Sequence, residues 1–485
     1  MKNLLKPEKY HLLLLKMFVL FILVACQSTE KTNLENVAII INGDEYLDYQ
    51  KTVAAVITTE VKKRTGFSWT VAPNSSNNEH TITLSIEKSL SLKPEGYHLK
   101  IENKGDKYNI KISSSDKRGL LYGTGKFLRL LEWEAGLAHI LNEVDITSSP
   151  EYAIRGHQFG YRNTANSWDS WTVEQFDQQF RDQMLFGANS FENIPFQDSA
   201  SSVHFKVNPE EMEIHLSKIC DKYDADYWVW TPAPTDLTYK KSHQDGLDQQ
   251  EDFFAACPRL DAVFVPGGDP GENHPSDLIP YLKDLSSILH QYHPDAGMWV
   301  SLQGFDREKV EYFFKYLEDN DPDWLKGLVY GPSSPPIDIE RKHLPEKYMH
   351  RLYPDITHTV RCQYPVKRWD QAFALTLGRE CTNPQPLYYA EIHNRDATFT
   401  DGFLTYSDGT HDDVNKVLWS RLGWNPDNDV RKIVVEYCRF FFGSNVAEKA
   451  ADGIFALEQN WVGPVLGNKV IGETLSLWKK LETEN

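Results

Sequence analysis

The sequence predicts an α/β protein in which a small βαββα domain precedes a TIM (β/α)₈ barrel and a short helical tail. Three observations lead to this prediction. The chain has 485 residues, which is more than one ordinary hydrophobic core accommodates. Residues with alternating polarity and a hairpin turn occupy its first part. From Pro150 onward, short apolar strands alternate with helical segments, which is typical of parallel βα units.

The N-terminus has the pattern of a bacterial lipoprotein signal. Lysines between positions 2 and 16 precede an apolar run over residues 17–25 that is short for a membrane span and ends at Cys26. Residues 23–26 resemble a lipobox, which implies that Cys26 is acylated, that residues 1–26 are the signal and that residues 27–36 form a polar tether. An ordinary signal peptide or a short anchor is the alternative. We therefore expect a lipid-anchored protein of the bacterial cell envelope, at the outer membrane, cell surface or periplasm.

Composition and charge argue against nucleic acid as a partner. The formal net charge is −18, and no stretch beyond the extreme N-terminus is strongly basic, whereas nucleic-acid binding needs clustered Lys and Arg. The 13 Trp and 23 Tyr residues offer flat apolar faces with a polar edge, which suit sugar rings, although a large core explains the same composition. The five cysteines after Cys26 show no C-x-x-C spacing, so we expect buried free thiols, with one distant disulfide as the alternative.

Residues 37–148 form the first predicted domain. A strand over 37–41 leads into a helix over 52–64, and residues 81–86 alternate with a period of two. Two further alternating strands flank a hairpin turn at 103–106, and an apolar helix over 118–131 completes the order. The glycines of this helix, Gly123 and Gly125, lack the preceding strand and the acidic partner of a nucleotide-binding loop.

Residues 149–425 form the predicted barrel, and residues 426–485 the C-terminal helices. Eight βα units in roughly 270 residues match the usual size of a TIM barrel. The competing doubly wound sheet would carry a glycine-rich phosphate turn after its first strand, and Arg155–Gly160 is not such a turn. Thr172 and Gln175 have the spacing of a capping box. The predicted strands are Ile154–Gly160, Ala188–Phe191, Tyr227–Trp230, Ala262–Val265, Met298–Leu302, Gly327–Tyr330, Thr357–Arg361 and Leu387–Glu391.

Carboxylates, aromatic residues and hydrogen-bonding groups collect at the predicted strand ends. TIM-barrel sites lie at the C-terminal ends of the strands, so these side chains are expected around one pocket. Cleavage of a glycoside needs a protonated carboxyl as general acid and a second carboxylate as base or nucleophile. This set therefore predicts a glycoside hydrolase acting on an oligosaccharide or polysaccharide without a cofactor. The candidate substrate-binding residues are His157, Arg162, Glu192, Trp230, His274, Gln303, Arg361, Glu391 and His393.

The loop after the fourth predicted strand carries the sharpest motif. Residues 263–275 run from a buried strand into a Gly/Pro-rich loop that holds Asp269, Glu272 and His274. Glycine and proline fix an irregular backbone, so the acidic side chains can be held in place. A plain surface turn is the alternative interpretation.

Two protein families share these features. The N-terminal βαββα order resembles the domain that precedes the barrel in family 20 β-hexosaminidases and family 67 α-glucuronidases. Residues 264–272 are similar to the strand-four segment of family 67, which implies that Asp269 or Glu272 is the general acid, and we favour Glu272. Residues 330–338 resemble the strand-six loop of that family, which implies Asp338 as base or nucleophile. The resemblance implies an exo-acting, α-glucuronidase-like hydrolase.

The predicted seventh strand departs from family 67, because residues 356–363 contain no acidic residue where that family has a second basic carboxylate. Two alternatives therefore stay open. One is a β-N-acetylhexosaminidase-like enzyme, although Asp269 and Glu272 are not adjacent as in family 20. The other is a surface glycan-binding lipoprotein that has lost catalysis. Glu391 and His393 would need a third ligand, such as His358 or Asp396, to bind a metal, and hydrogen bonds to sugar hydroxyls are favoured instead.

Overall fold

The computed structural model describes residues 32–73, 80–105, 107–159, 168–193, 205–268, 271–357, 363–364, 366, 368, 370–371, 383–407 and 413–484. Five of the residues named in the sequence analysis lie outside this part of the chain: Cys26, Arg162, Asp269, His358 and Arg361.

The N-terminal unit is a mixed sheet covered by helices. Its strands run in the order β2-β1-β3-β5-β4-β8, with β1, β3 and β5 parallel and β4 antiparallel to both β5 and β8. The period-two alternation turns residues such as Ile82, Leu84 and Ile112 into the core. The elements are β1 (Val37–Asn42), α1 (Leu47–Thr65), β2 (Thr70–Val71), β3 (His80–Ile86), β4 (Tyr97–Asn103), β5 (Tyr108–Ser114), α2 (Lys117–Arg129), β6 (Leu131–Glu134), β7 (Leu137–Ile140) and β8 (Val144–Ser148).

Helix α2 carries its glycines because it packs unusually close to its neighbours. A Cβ atom on Gly119 would lie 2.2 Å from the carbonyl oxygen of Gly96, and one on Gly125 would lie 2.4 Å from the carbonyl oxygen of Leu185 in the barrel. Both positions therefore require the absence of a side chain. The glycines serve the contact between α2 and its surroundings.

The second unit is a closed barrel of parallel strands. Neighbouring strands pair in chain order, and β17 closes the ring by pairing with β9 over its full length. The first six predicted strands are confirmed with small changes at their ends. The strands are β9 (Ile154–Phe159), β10 (Ser190–Asn193), β11 (Asp226–Trp230), β12 (Ala262–Val265), β13 (Gly297–Ser301), β14 (Leu325–Tyr330), β15 (Met349–Leu352), β16 (Asp355–Thr357) and β17 (Gly402–Ser407).

Helices surround the barrel and continue beyond it. The predicted capping box at the start of α3 is confirmed, with Thr172 Oγ1 accepting from the Gln175 N–H at 3.3 Å and Gln175 Oε1 accepting from the Thr172 N–H at 2.9 Å. The helices are α3 (Val173–Leu185), α4 (Pro209–Tyr223), α5 (Lys240–Ala256), α6 (Pro275–Tyr292), α7 (Arg307–Asn320), α8 (Ile337–His343), α9 (Pro386–Asp396), α10 (Asp413–Trp424), α11 (Val430–Phe442), α12 (Ala447–Gln459) and α13 (Lys469–Glu484).

The predicted eighth strand is wrong, and the predicted seventh strand, residues 357–361, lies outside the described residues except for Thr357, which ends β16. The seventh position of the barrel is filled by β15, which begins at Met349, and is extended past Pro354 by β16, and the eighth is β17. Residues 386–396, which include the predicted eighth strand, form helix α9 with Pro386 in its first turn. The run Leu387–Ala390 is short and apolar, and such a run does not distinguish a strand from a buried helical turn.

Pro354 divides the seventh position into two segments that differ in their pairing with β14. Below it, β15 pairs with β14 on one side and with β17 on the other, and the Tyr353 N–H still donates to the Tyr330 carbonyl at 2.6 Å. Proline has no N–H to continue this ladder. Its carbonyl instead accepts from the Tyr406 N–H at 2.8 Å, and among the described strands β16 pairs with β17.

Strand alternation separates the lumen of the barrel from its outer surface. Nine buried apolar residues fill the lumen, among them Trp228, Phe264 and Trp299, while their chain neighbours on each strand pack against the helices. The interior of the barrel is therefore a packed core.

Two further properties of the described residues bear on the sequence analysis. Cys220, Cys257 and Cys438 are buried free thiols, as the spacing predicted. None of the described helices has both the length and the apolar character that crossing a membrane requires.

A buried ionic cluster joins the N-terminal unit to the barrel. The Glu95 carboxylate accepts from Arg118 Nη1 and Asn189 Nδ2, both at 3.0 Å, and forms a close ion pair with Arg155 Nη2. Arg118 also pairs with Asp226 at the start of β11. Burial raises the pKa of Glu95, but the guanidinium groups of Arg155 and Arg118 outweigh this effect and hold the pKa below its usual range. Glu95 therefore stays charged and ties α2 to the starts of the first three barrel strands.

We expect Glu95→Gln to destabilise the protein by about 3–5 kcal/mol, because it leaves the buried Arg155 charge without its counter-ion. Urea denaturation at pH 7 measures this loss. Since the folded-state pKa is lowered, the stabilisation by Glu95 exists above the unfolded pKa of about 4.3 and disappears as the pH falls through the folded value. The control Glu45→Gln removes an exposed carboxylate paired with Lys88 and should leave stability unchanged. Equal effects of the two variants would contradict the role of Glu95.

Candidate functional site

The C-terminal ends of the barrel strands surround a mouth in which polar and aromatic side chains face inward. Alternation along each strand selects these side chains, since they share a face with the apolar residues of the lumen. The inward residues at or near the mouth are Gln158 on β9, Glu192 on β10, Trp230 on β11, Gln303 after β13, Arg351 and Tyr353 at the end of β15, Asp355 on β16 and Tyr406 on β17.

Glu192 is fully buried and held from two sides. Gln158, directly opposite it on β9, donates from Nε2 to Oε1 at 2.5 Å, and Arg351 donates from Nη2 to Oε2 at 2.5 Å. Burial raises the pKa of Glu192, and the Arg351 charge and the two hydrogen bonds act against this rise. The carboxylate is therefore fixed in orientation and facing the lumen.

Arg351 forms the floor of the mouth together with aromatic rings. Its guanidinium carbon lies 4.7 Å from the ring centre of Trp228 and 5.0 Å from that of Phe264, and Trp228 in turn lies 5.0 Å from Trp299. These distances fit cation–π contacts. Nε and Nη1 of Arg351 have no hydrogen-bond partner within the described ranges. Below this level apolar side chains fill the lumen, so the barrel is closed beneath the strand ends.

Asp355 is a carboxylate that the sequence analysis missed. It lies opposite Tyr406 in the register of β16 and β17, and it is only 5% exposed. Asp355 follows the alternation of Arg351 and Tyr353 into the lumen, whereas Ile356 joins the outer core. The seventh position thus does carry an acidic residue, contrary to the prediction. The signal in the sequence was the acidic residue directly after Pro354. It was missed because the seventh strand was predicted to begin at Thr357, after Asp355.

The predicted catalytic residues on the fourth and sixth loops lie at the rim. Glu272 is exposed, and its backbone carbonyl accepts from Lys309 Nζ at 3.3 Å. Asp338 is also exposed and lies in the first turn of α8, where the helix dipole favours a negative charge. The Gly268 N–H donates to the Gln303 carbonyl at 2.9 Å, which holds the start of the fourth loop against the fifth strand. Their part in catalysis stays a prediction.

His274 has a structural contact that explains its place in the loop. It caps α6, with its Nδ1 atom accepting from the Ser276 N–H at 3.1 Å, and its ring packs edge-on against Tyr312. Trp230 and Gln303, by contrast, are placed at the mouth as predicted, with Trp230 half-buried beside the apolar lumen residues.

Three predicted binding residues face away from the mouth. The His157 ring lies between the barrel and α10, with Nδ1 2.7 Å from Thr405 Oγ1 and Nε2 2.9 Å from Ser420 Oγ, and burial holds its pKa well below the usual value. Its neighbour Gln158 is the residue of β9 that faces inward at the mouth. Glu391 and His393 belong to helix α9, not to a strand end.

His393 is buried in an aromatic environment. Its ring centre lies 4.9 Å from Trp419, and burial lowers its pKa to about 4. Glu391 lines a separate cleft with Glu458 at the side of the molecule. Across the parts of the chain that the structure describes, no three His, Cys, Asp or Glu side chains are grouped so that they could hold a metal ion.

Removing Arg351 should expose how strongly Glu192 depends on it. We expect Arg351→Met to destabilise the protein by about 3–5 kcal/mol, because an uncompensated carboxylate is left in the lumen. The loss should grow as the pH rises above about 4.3, where glutamate ionises in the unfolded chain, since burial keeps the folded-state pKa higher. Adding Glu192→Gln should restore most of the lost stability. Denaturation of all four members of this double-mutant cycle tests the pair, and additive losses would contradict it.

Comparisons with known proteins agree with this architecture. Residues 27–147 match glycosyl hydrolase family 20, domain 2. The fold is similar to a GH138 enzyme targeting pectin rhamnogalacturonan II, with a TM-score of 0.59, 13% identity and coverage of 87% of this chain and 69% of that chain. It is also similar to a GH115 4-O-methyl-α-glucuronidase with specificity for decorated arabinogalactans, with a TM-score of 0.59, 12% identity and coverage of 88% and 62%.

A third similar structure is a GH20 exo-β-N-acetylglucosaminidase from Vibrio harveyi, with a TM-score of 0.55, 11% identity and coverage of 87% of this chain and 75% of that chain. A sequence comparison with curated proteins finds no match. At these identities the likeness to solved structures concerns the fold. The molecule thus joins an N-terminal segment that matches glycosyl hydrolase family 20, domain 2, to a TIM barrel whose fold is similar to those of these glycoside hydrolases.

Proposed function

We propose that the protein is an exo-acting glycoside hydrolase that binds the end of a glycan chain in the barrel mouth. The observation that carries this proposal is the ring of strand ends at which Glu192, Asp355 and aromatic residues face inward above a packed floor. A packed floor beneath these side chains would admit only the end of a glycan chain. The aromatic rings of Trp230, Tyr353 and Tyr406 offer surfaces for sugar rings.

We assign Glu272 as the general acid and Asp355 as the second carboxylate. Glu272 follows the fourth strand in a loop that begins beside the fifth, and its exposed side chain can reach an entering glycan. Asp355 faces the lumen and is almost completely shielded, which suits a base or nucleophile better than the exposed Asp338 does. Glu192 is a positioning residue in this scheme, because Arg351 neutralises it and Gln158 fixes it.

The likeness to a GH115 glucuronidase supports the α-glucuronidase-like form of this proposal, and the family 20 domain keeps a β-N-acetylhexosaminidase-like form as a second candidate. A panel of glucuronide-decorated xylans, arabinogalactans and chitooligosaccharides distinguishes the two by the sugar released. A glycan-binding protein without catalysis is a further candidate, since Arg351 neutralises the most deeply buried carboxylate of the mouth. Calorimetric binding without any released sugar would favour it.

On the substrate that this panel identifies, we expect Asp355→Asn and Glu272→Gln each to lower kcat by roughly 10²–10⁴-fold, the usual contribution of a general acid or base. Asp338→Asn is the matched control and should retain most of the activity, because Asp338 is exposed in the first turn of α8. Initial rates on that substrate provide the measurement. Full activity in Asp355→Asn together with an inactive Asp338→Asn would instead assign the role of second carboxylate to Asp338.

We further propose that Cys26 carries the lipid anchor, supported by the charged and apolar residues that precede it. Cys26→Ala should move the protein from the membrane fraction to the soluble fraction of a bacterial host, because the acyl chains that hold it are lost. Fractionation and immunoblotting measure this change. A Cys220→Ala control changes a buried thiol and should stay at the membrane, and an unchanged distribution of Cys26→Ala would refute the anchor.

A further inference from the structure

A cleft of about 350 Å³ opens between the N-terminal domain and the end of helix α11, and it shares no residue with the barrel mouth. Its volume lies in the usual range of roughly 300–1,000 Å³ for ligand sites. The walls come from Arg64 at the end of α1, Trp133 and Glu134 on β6, and residues 440–445. Gly443 adopts a positive φ of 96°, which turns the chain back along the cleft after α11.

The rear wall is a stack of aromatic rings around one guanidinium. The Arg64 carbon atom Cζ lies 4.2 Å from the ring centre of Phe440 and 4.8 Å from that of Trp133. Arg64 donates from Nη1 to the Phe440 carbonyl at 2.8 Å and from Nη2 to Glu60 at 3.1 Å. Glu60 also pairs with Arg181 at 3.2 Å, and Arg181 pairs with Asp177. Arg64 therefore belongs to a network of paired charges and serves to fix the rings.

Polar atoms at this wall lack partners within the described chain. Trp133 is only 4% exposed, yet its indole Nε1 has no hydrogen-bond acceptor, and Nε of Arg64 and Oγ of Ser444 are likewise without a partner. Each buried polar atom left in this state costs about 1–3 kcal/mol. A ligand that brings hydroxyl groups into the cleft would satisfy these atoms.

The rim adds an exposed aromatic surface and an acidic group. Phe442 is 50% exposed, and Asn445 donates from Nδ2 to Glu134 Oε2 at 3.1 Å. A flat apolar ring beside hydrogen-bonding groups suits the two faces of a pyranose. Because Arg64 is paired and Glu134 is acidic, an anionic ligand would be repelled.

We propose that this cleft is an accessory binding site for a neutral oligosaccharide. The proposal rests on the proposed function in that such a site would hold a glycan whose end is processed in the barrel mouth. Binding here needs no catalytic group, so it can be measured separately from hydrolysis.

The test follows the Trp133 indole N–H resonance in the full chain labelled with ¹⁵N-tryptophan, assigned with Trp133→Phe. The probes are cello-, xylo-, manno- and chitotetraose, with tetragalacturonate as the anionic comparison and glycerol as the blank. We expect at least one neutral tetrasaccharide to shift the resonance and tetragalacturonate to leave it in place. Phe442→Ala should raise the Kd about tenfold, as the loss of a stacking contact does. The control Tyr239→Ala removes another exposed aromatic ring and should bind normally.

Two further measurements separate this site from the barrel. Trp230→Ala alters the barrel mouth and should leave the Trp133 shift intact, and Glu272→Gln should abolish hydrolysis while the shift persists. The proposal is overturned if no neutral tetrasaccharide moves the resonance, if glycerol moves it equally, if tetragalacturonate binds more tightly, or if Phe442→Ala binds like the native protein. If no neutral tetrasaccharide shifts the Trp133 resonance while hydrolysis is intact, only the accessory site is refuted and the proposed function stands.

Discussion

The Glu95 carboxylate is the contact on which the arrangement of the two units depends. It bridges Arg118 from the N-terminal domain and Arg155 from the first barrel strand, and Asn189 brings in the second. Arg118 continues through Asp226 to Arg259, which also binds Asp261 before the fourth strand. The N-terminal domain is thus fixed at the starts of four consecutive strands. In TIM barrels this face carries stability, which leaves the opposite face available for chemistry.

A second buried ion pair lies at the centre of the lumen. Arg351 is packed between Trp228 and Phe264, and its position determines where the Glu192 carboxylate sits. A buried ion pair is weak evidence for stability, because the desolvation of both charges offsets their attraction. This ion pair is better explained by orientation, since it holds one carboxylate rigidly at the strand ends. In the proposed function, the packed floor would restrict the mouth to the end of a ligand.

Features of the fold that depend on a local sequence pattern were predicted correctly. Features that depend on contacts between residues distant in sequence were not. Six barrel strands were found because each is an apolar run followed by a clear helix. Leu387–Ala390 was misread since a short apolar run fits a strand and a helix equally well, and the resulting shift hid Asp355. Strand β9 was predicted correctly, but His157 was wrongly expected to face the lumen. Every residue from Ile154 to Phe159 is buried, so only their contacts in three dimensions show that Gln158 points inward and His157 outward. The partners of Glu95 and Glu192 are distant in sequence, so no spacing could indicate them.

The break at Pro354 has a consequence for how this barrel can change over generations. Closure at the base depends on β15, which is paired on both sides, whereas the acidic residue at the mouth stands on β16, which the described ladder ties to β17. Substitutions or insertions in the upper segment would therefore change the side chains at the mouth while the ring beneath stays closed.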